Sequence, residues 1–255
     1  MGIEVVQIPC LQDNYGYLLH DHDSGLTATV DTPEVDAIMS TLEQNHWKLT
    51  HVLNTHHHWD HIGGNLQLKE MTGCTIVGAK IDQDRIPGID ICVSDGQLFL
   101  FGHHEIVITE TPGHTSGHIT YYLSDQNLAF VGDTLFSMGC GRLFEGTAEQ
   151  MWQSLQKLLQ LPEQTLIYCA HEYTEDNGNF ALSIDSENEQ LLDRMSEVRA
   201  LRKAGRPTIP TSLAIEKQTN PFLRPDDMEI RTCLGMLSES DELVFAQIRK
   251  LKDNF

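Results

Sequence analysis

Thr55-His56-His57-His58-Trp59-Asp60-His61, closed by Gly63-Gly64, packs five potential metal ligands into seven residues. His56 and His58 stand two apart, so on an extended loop they project to one side and His57 to the other. Asp60 and His61 follow at the expected start of a helix. One short loop thus offers an imidazole pair to one ion and an Asp-His pair to a second. The bland alternatives are a run of surface histidines or a purification tag. An internal run set between an apolar strand, His51–Leu53, and a Gly-Gly turn fits neither.

Three other segments repeat the design of an apolar strand running into a loop that opens with a ligand. Strand Glu105–Thr109 leads to Thr111-Pro-Gly-His114, strand Leu128–Val131 to Gly132-Asp133, and strand Leu166–Cys169 to Ala170-His171. A strand end holds a ligand rigidly while the loop exposes it. Any one of the three is weak evidence, because a lone His after a strand is commonly structural. With the cluster they supply five imidazoles (His56, His58, His61, His114, His171) and two carboxylates (Asp60, Asp133), enough for two metals. Asp133 is the natural bridge, since a carboxylate can bind one ion with each oxygen. A pair of divalent ions lowers the pKa of a bridging water from 15.7 in bulk toward about 7. The mixed N/O set suits Zn, Fe or Mn. The absence of any thiolate argues against a closed structural zinc site.

Composition bounds the rest. At 255 residues with 40% hydrophobic content, the chain can bury one large domain or a core with a smaller appendage. No run of about 18 apolar residues is present, so no membrane span is expected. The start, Met1 to Cys10, lacks a basic n-region and an apolar h-region and does not read as a secretion signal; Cys10 is an ordinary residue rather than a lipid-attachment site. Six scattered cysteines without a C-x-x-C pair fit a reducing cytoplasm. The formal charge of −20 repels polyanions and argues against nucleic-acid or anionic-lipid partners. It also requires local cations for any anionic substrate.

Short runs rich in Val, Ile, Leu and aromatic residues predict further strands at Glu4–Ile8, Tyr17–Leu19, Thr27–Val30, Thr75–Val77 and Ile119–Leu123. Thr147-Ala-Glu-Gln150 reads as a capping box opening a helix with Met151, Trp152, Leu155, Leu158 and Leu159 on its apolar face. Past residue 172 the strand signals fade. Ser186-Glu-Asn-Glu189 reads as a second capping box, before a helical run through Leu191, Met195 and Val198 that Gly205 and Pro207 stop. Pro225 suits the first turn of another helix, and Leu243, Phe245, Ile248 and Leu251 define a last one. The expected organisation is a mixed α/β domain over residues 1–172 and a helical domain over 173–255.

The stretches T-H-H-H-W-D-H, T-P-G-H-T-S-G-H, F-V-G-D-T-L-F and C-A-H-E-Y-T resemble the metallo-β-lactamase superfamily. Within it the chain is similar to the hydroxyacylglutathione hydrolases (glyoxalase II). That narrower resemblance rests on Gly139-Cys-Gly-Arg-Leu-Phe-Glu-Gly-Thr147, on His171-Glu-Tyr-Thr174 with Asn177 and Phe180-Ala181, and on the ending Arg249-Lys-Leu-Lys-Asp-Asn-Phe255. It covers essentially the whole chain. It implies an α/β fold, an αββα sandwich with a C-terminal helical domain. It also implies two divalent ions, Zn by preference with Fe or Mn as alternatives: His56, His58 and His114 on the first, Asp60, His61 and His171 on the second, and Asp133 on both. The implied substrate contacts are Arg142, Phe144, Tyr173, Arg249 and Lys252. Relatives often carry Lys and Tyr where this chain has Arg142 and Phe144, so the cation is kept and a hydroxyl is lost. Arg249 and Lys252, three apart on a helix, share a face; they offer cations to glutathione carboxylates in an otherwise acidic protein.

The implied reaction is hydrolysis of S-(2-hydroxyacyl)glutathione, such as S-D-lactoylglutathione, to a 2-hydroxy acid (D-lactate) and glutathione. A metal-bridging hydroxide is the nucleophile, with Asp60 and Asp133 as the catalytic carboxylates. This is the second step of methylglyoxal detoxification. The expected partner is the small-molecule thioester, for a monomeric cytoplasmic enzyme. The main rival is a glutathione persulfide dioxygenase of the same fold using one iron; Asp60 and His171 complete a two-metal set and favour hydrolysis. Lactonase, β-lactamase and nuclease readings fit the basic tail and the net charge less well. His57 and His118 read as structural hydrogen-bonders, Asp31 as a residue orienting the His loop, and Cys140, Cys169, Tyr17, Tyr121 and Tyr122 as packing residues.

Overall fold

The computed structural model describes residues 2–255, and their contacts divide the chain into two compact units. The first comprises residues 2–110 and 115–132; the second comprises Thr111–His114 and Asp133–Phe255. No helix among the described residues is long and apolar enough to cross a membrane.

In the first unit, β1 (Ile3–Cys10), β2 (Asn14–Asp21), β3 (Leu26–Val30), β4 (His51–Leu53), β5 (Thr75–Ala79) and β6 (Ile91–Val93) form one sheet in sequence order. β1, β2 and β3 pair antiparallel. β3 to β6 run parallel, so each needs a crossover. Helix α1 (Val35–Asn45) links β3 to β4, and α2 (Trp59–Ile62) and α3 (Asn65–Thr72) link β4 to β5. Ile38 and Leu42 of α1 and Leu68 of α3 bury against Leu18, Val52 and Ile76 of the sheet. That burial, not helix propensity, holds such short helices.

A second set of strands, β7 (Leu98–Phe101), β8 (His104–Glu110), β9 (Ile119–Leu123) and β10 (Leu128–Gly132), pairs antiparallel in the order β10-β9-β8-β7. It faces the first sheet. The Tyr121 hydroxyl donates to the Asn54 carbonyl at 2.8 Å, and the rings of Tyr17 and Phe130 meet edge to face at 5.6 Å. The three tyrosines expected to pack are all buried.

In the second unit a short hairpin, β11 (Leu135–Phe136) and β12 (Gly139–Cys140), follows Asp133. Then come α4 (Ala148–Leu159), β13 (Leu166–Cys169), α5 (Thr174–Ile184), α6 (Glu189–Lys203), β14 (Thr211–Ser212), α7 (Leu213–Thr219), α8 (Met228–Leu234) and α9 (Asp241–Asp253). β13 pairs antiparallel with β14. Met138, Ala181, Leu191, Met195 and Val198 make one apolar cluster, and Trp152 of α4 stacks on Phe245 of α9 at 5.8 Å.

The Thr147 capping box forms with both reciprocal bonds. Two other helix starts differ from expectation. The cap of α6 is Asn188, whose side chain accepts the Leu191 N–H, while the Ser186 hydroxyl turns to Glu187. α8 begins at Met228, because Asp227 accepts the N–H groups of Glu229 and Ile230; Pro225 precedes it and gives its carbonyl to Arg231. β6 and β7 carried no usable sequence signal. Apolar residues occupy both faces of β7, with Leu98 and Leu100 exposed and Phe101 buried, so period-two alternation is erased.

Candidate active site

In the first unit β3 and β4 end side by side, and the candidate ligands of the His loop lie just beyond them. Asp31 follows β3 in the left-handed region at φ 58°, which Asp tolerates better than most residues. From there its carboxylate accepts the Thr55 N–H and hydroxyl, each at 2.8 Å. It also takes the His61 Nδ1–H at 2.8 Å. A carboxylate only accepts, so this bond fixes the His61 tautomer and makes Nε2 the lone-pair nitrogen. The His61 carbonyl is pinned by the Thr32 N–H at 2.9 Å and by the Asn54 side chain at 3.0 Å.

Within the His56–His61 loop, His56 Nε2 and His58 Nδ1 lie 3.0 Å apart. His61 Nε2 lies 3.5 Å from Asp60 Oδ2, and Asn14 donates to that same oxygen at 3.1 Å. His57 turns the other way, as its position predicts, to bond Asp82 at 3.2 Å. His118 is buried and stacks on His56 at 4.9 Å, consistent with a structural part.

The second unit gathers His114, Asp133 and His171. His114 Nδ1 donates to the Arg142 carbonyl at 2.9 Å, while its Nε2 lies 3.3 Å from Asp133 Oδ2. His171 Nε2 lies 3.5 Å from the same oxygen, and its ring stacks on Tyr173 at 4.8 Å with only 2° between planes. All three side chains are buried.

These spacings suit a metal. Two ligands on a tetrahedral ion with bonds of about 2.1 Å are separated by about 3.4 Å. The 3.0–3.5 Å N···N and N···O separations within each unit bracket that edge. The donors are imidazole and carboxylate, and His61 and His114 are held by a second ring N–H bond, as metal-ligating histidines usually are. The chain therefore carries His and Asp clusters with the spacing and chemistry of a divalent-metal site.

The residues implied as substrate contacts also fall in the second unit. Arg142 and Phe144 are exposed, and the Phe144 ring lies 5.1 Å from His114. Tyr173 and Lys252 are half-buried. Arg249 is buried, 4% exposed, and donates to the Cys140 carbonyl at 2.7 Å while pairing with Asp253 at 2.9 Å. Burial, then the Arg249 and Arg142 charges, push the Lys252 ammonium below its ordinary value, against the opposing pull of Asp176 and Asp253. Arg142, Arg249 and Lys252 thus form a cationic patch in a chain of net charge −20.

Cys140 and Cys169 are buried, and burial pushes their thiols up, Cys140 to about 11. Neither is a nucleophile at neutral pH. Sequence reasoning missed Asn14, Asp82 and Glu216. Each is a lone polar residue with no motif, and only its fully or nearly buried position reveals it.

Residues 23–171 match the model of the metallo-beta-lactamase superfamily, and the chain belongs to that superfamily, with its α/β fold. Residues 172–255 match the model described as hydroxyacylglutathione hydrolase C-terminus. A hydroxyacylglutathione hydrolase of Maricaulis maris is 53% identical over 98% of this chain and 97% of its own length. One from Methylococcus capsulatus is 51% identical over 99% of each. Within the superfamily, the chain is a member of the hydroxyacylglutathione hydrolase family. Among solved structures, ETHE1 from Myxococcus xanthus matches with a TM-score of 0.68 and 27% identity, over 98% of this chain and 90% of that one.

Proposed function

We propose that this chain hydrolyses the thioester of an S-(2-hydroxyacyl)glutathione, with S-D-lactoylglutathione as substrate and D-lactate and glutathione as products. This is the second step of methylglyoxal detoxification, carried out by a monomer in the cytoplasm. The observation that carries the reading is full-length identity of about half to hydroxyacylglutathione hydrolases, including the C-terminal segment. That segment also favours hydrolysis over the one-iron dioxygenase alternative. The two family models meet between residues 171 and 172, which supports a catalytic domain to about residue 172 and a helical substrate-binding domain beyond it.

In this proposal His56, His58 and His114 would hold one divalent ion and Asp60, His61 and His171 the other, with Asp133 available to both, and the ions would be Zn. Bound there, divalent ions supply Lewis acidity that draws the pKa of water toward neutrality and offsets negative charge on a carbonyl oxygen. Asp60, oriented by Asn14, accepts a hydrogen bond from the attacking water. Arg142 and Lys252 bind the glutathione carboxylates, and Arg249 adds its charge from beneath them. Tyr173 stacks on His171, and Phe144 meets His114 edge to face. The leaving thiol, with an ordinary pKa near 8.5, departs as thiolate without a strong general acid.

The direct test is loss of thioester absorbance when metal-loaded protein meets S-D-lactoylglutathione, with one thiol released per thioester lost. Intact thioester together with oxygen uptake on glutathione persulfide would instead establish the dioxygenase. Elemental analysis of the same sample identifies the ion.

Two expectations follow from the partners of these residues. Asp31→Ala removes the group that fixes the His61 tautomer, and should weaken metal binding by about 10–100-fold, measured by chelator competition; affinity equal to wild type would remove Asp31 from the site. Lys252 gives the second. A lysine whose pKa is lowered loses its charge at a lower pH than an ordinary lysine. KM should therefore rise with alkaline pH earlier than the charge of an ordinary lysine would dictate. Lys252→Arg, which stays charged, should flatten that rise; superimposable KM profiles for the two proteins would exclude Lys252 as the anion contact.

A further inference from the structure

The hairpin β11–β12 springs from one ligand and ends by holding another. Asp133 stands two residues before β11, and Arg142, whose carbonyl accepts His114 Nδ1–H at 2.9 Å, stands two residues after β12. Its two arms close at the base, where Gly141 N–H bonds the Thr134 carbonyl at 3.3 Å. Gly141 lies so near both ligands that a Cβ there would run into the Asp133 carbonyl oxygen and come within 3.2 Å of His114 Cβ. A small rotation of the outgoing arm therefore moves the groups that orient His114 and Asp133.

One charged side chain fixes that arm. Arg249 of α9 donates to the Cys140 carbonyl at 2.7 Å. The guanidinium is nearly fully buried, is held on its other edge by Asp253 at 2.9 Å and 3.1 Å, and lies 5.0 Å from the centre of the Phe222 ring. A planar donor locked on three sides defines a direction as well as an attraction. A residue whose only task was to meet an incoming carboxylate would have little reason to be spent on a backbone carbonyl.

Resting on the ligand assignment above, we infer that Arg249 is a positioning residue for the metal centre. Through the Cys140 carbonyl it sets the base of the 133–142 hairpin, and through it the Arg142 carbonyl that orients His114 and the backbone that carries Asp133. The C-terminal helix is then part of the scaffold of the metal ligands, in addition to its contacts with substrate.

The test compares Arg249→Met, which keeps the stem packed and deletes the donors, with Lys252→Met. Zn affinity is read by chelator competition, and the ligand field by the visible spectrum of the Co(II)-loaded protein. Arg249→Met should lose metal affinity by about 10–100-fold and shift the Co(II) spectrum, while Lys252→Met should bind metal as the wild type does and show only a raised KM. Wild-type metal affinity and spectrum in Arg249→Met, with KM alone changed, would overturn the inference. Should Arg249→Met fail to fold by circular dichroism, Asp253→Asn decides the matter. That residue is exposed, and its loss should lower Zn affinity in the same direction by less; unchanged affinity overturns the inference. A wild-type protein that binds no divalent metal would instead overturn the ligand assignment beneath it.

Discussion

Asp133→Ala is expected to lose metal and turnover together, with kcat falling by about a thousandfold or more. Asp133 follows β10 at Gly132, whose φ of 47° turns the chain so sharply that a side chain there would be strained. Its Oδ2 lies 3.3 Å from His114 Nε2 and 3.5 Å from His171 Nε2, one oxygen facing two imidazoles. In the proposed site the carboxylate would also offset the positive charge of divalent ions, so its removal deletes a compensating charge as well as a ligand. The measurements are metal content after gel filtration and kcat at saturating substrate. Circular dichroism should be unchanged, because the metal-free protein gains little from a carboxylate facing imidazoles. Near-normal kcat in a metal-depleted Asp133→Ala protein would end the two-metal scheme. Asp133→Asn, which keeps the shape and loses the charge, should fall between the two.

Glu216→Ala should produce the largest loss of stability. The side chain is fully buried. One oxygen accepts the Ser137 and Thr211 hydroxyls, each at 2.9 Å. The other accepts the Met138 N–H at 2.8 Å and the Asn220 amide at 3.0 Å. Alanine leaves these donors without an acceptor and opens a cavity, at a cost of about 3–5 kcal/mol. That corresponds to a drop in Tm of about 10 °C for a chain of this size. Glu216→Gln should cost much less, since the two hydroxyls can turn to accept from the amide.

The sign of the pH dependence follows from burial, which pushes the Glu216 carboxyl up despite its four donors. A carboxyl with a raised folded pKa takes up protons more readily folded than unfolded. Its contribution is therefore complete below its unfolded pKa and declines as pH rises through the folded value. Wild-type stability should thus improve relative to Glu216→Gln on acidification from neutrality. A constant gap would mean that Glu216 stays charged throughout. Because Ser137 and Met138 form the tip of the β11–β12 hairpin, loss of Glu216 should also loosen Asp133, and thermal melts with and without Zn should converge.

Much of the candidate site is legible in the sequence. His56, His58, Asp60 and His61 fall in one run, and His114, Asp133 and His171 each follow an apolar strand, because rigid strand ends are where ligands can be held. The capping box at Thr147 and the strands His51–Leu53, Ile119–Leu123 and Leu166–Cys169 have the bounds their residues predict. The failures have local causes. Ser186 and Pro225 looked like helix starts, but Asn188 and Asp227 sit closer to the apolar runs and win the competition for the first N–H groups. β7 is apolar on both faces and shows no period.

The sequence by itself determined the family and offered the candidate ligands, since both are carried by short contiguous motifs. The tertiary structure alone decided what holds those side chains in place. Asp31 reaches Thr55 across 24 positions, Asn14 reaches Asp60 across 46, Glu216 reaches Met138 across 78, and Arg249 reaches Cys140 across 109. A hydrogen bond needs an approach of about 3 Å and a direction, and neither is written in the spacing of residues so far apart along the chain.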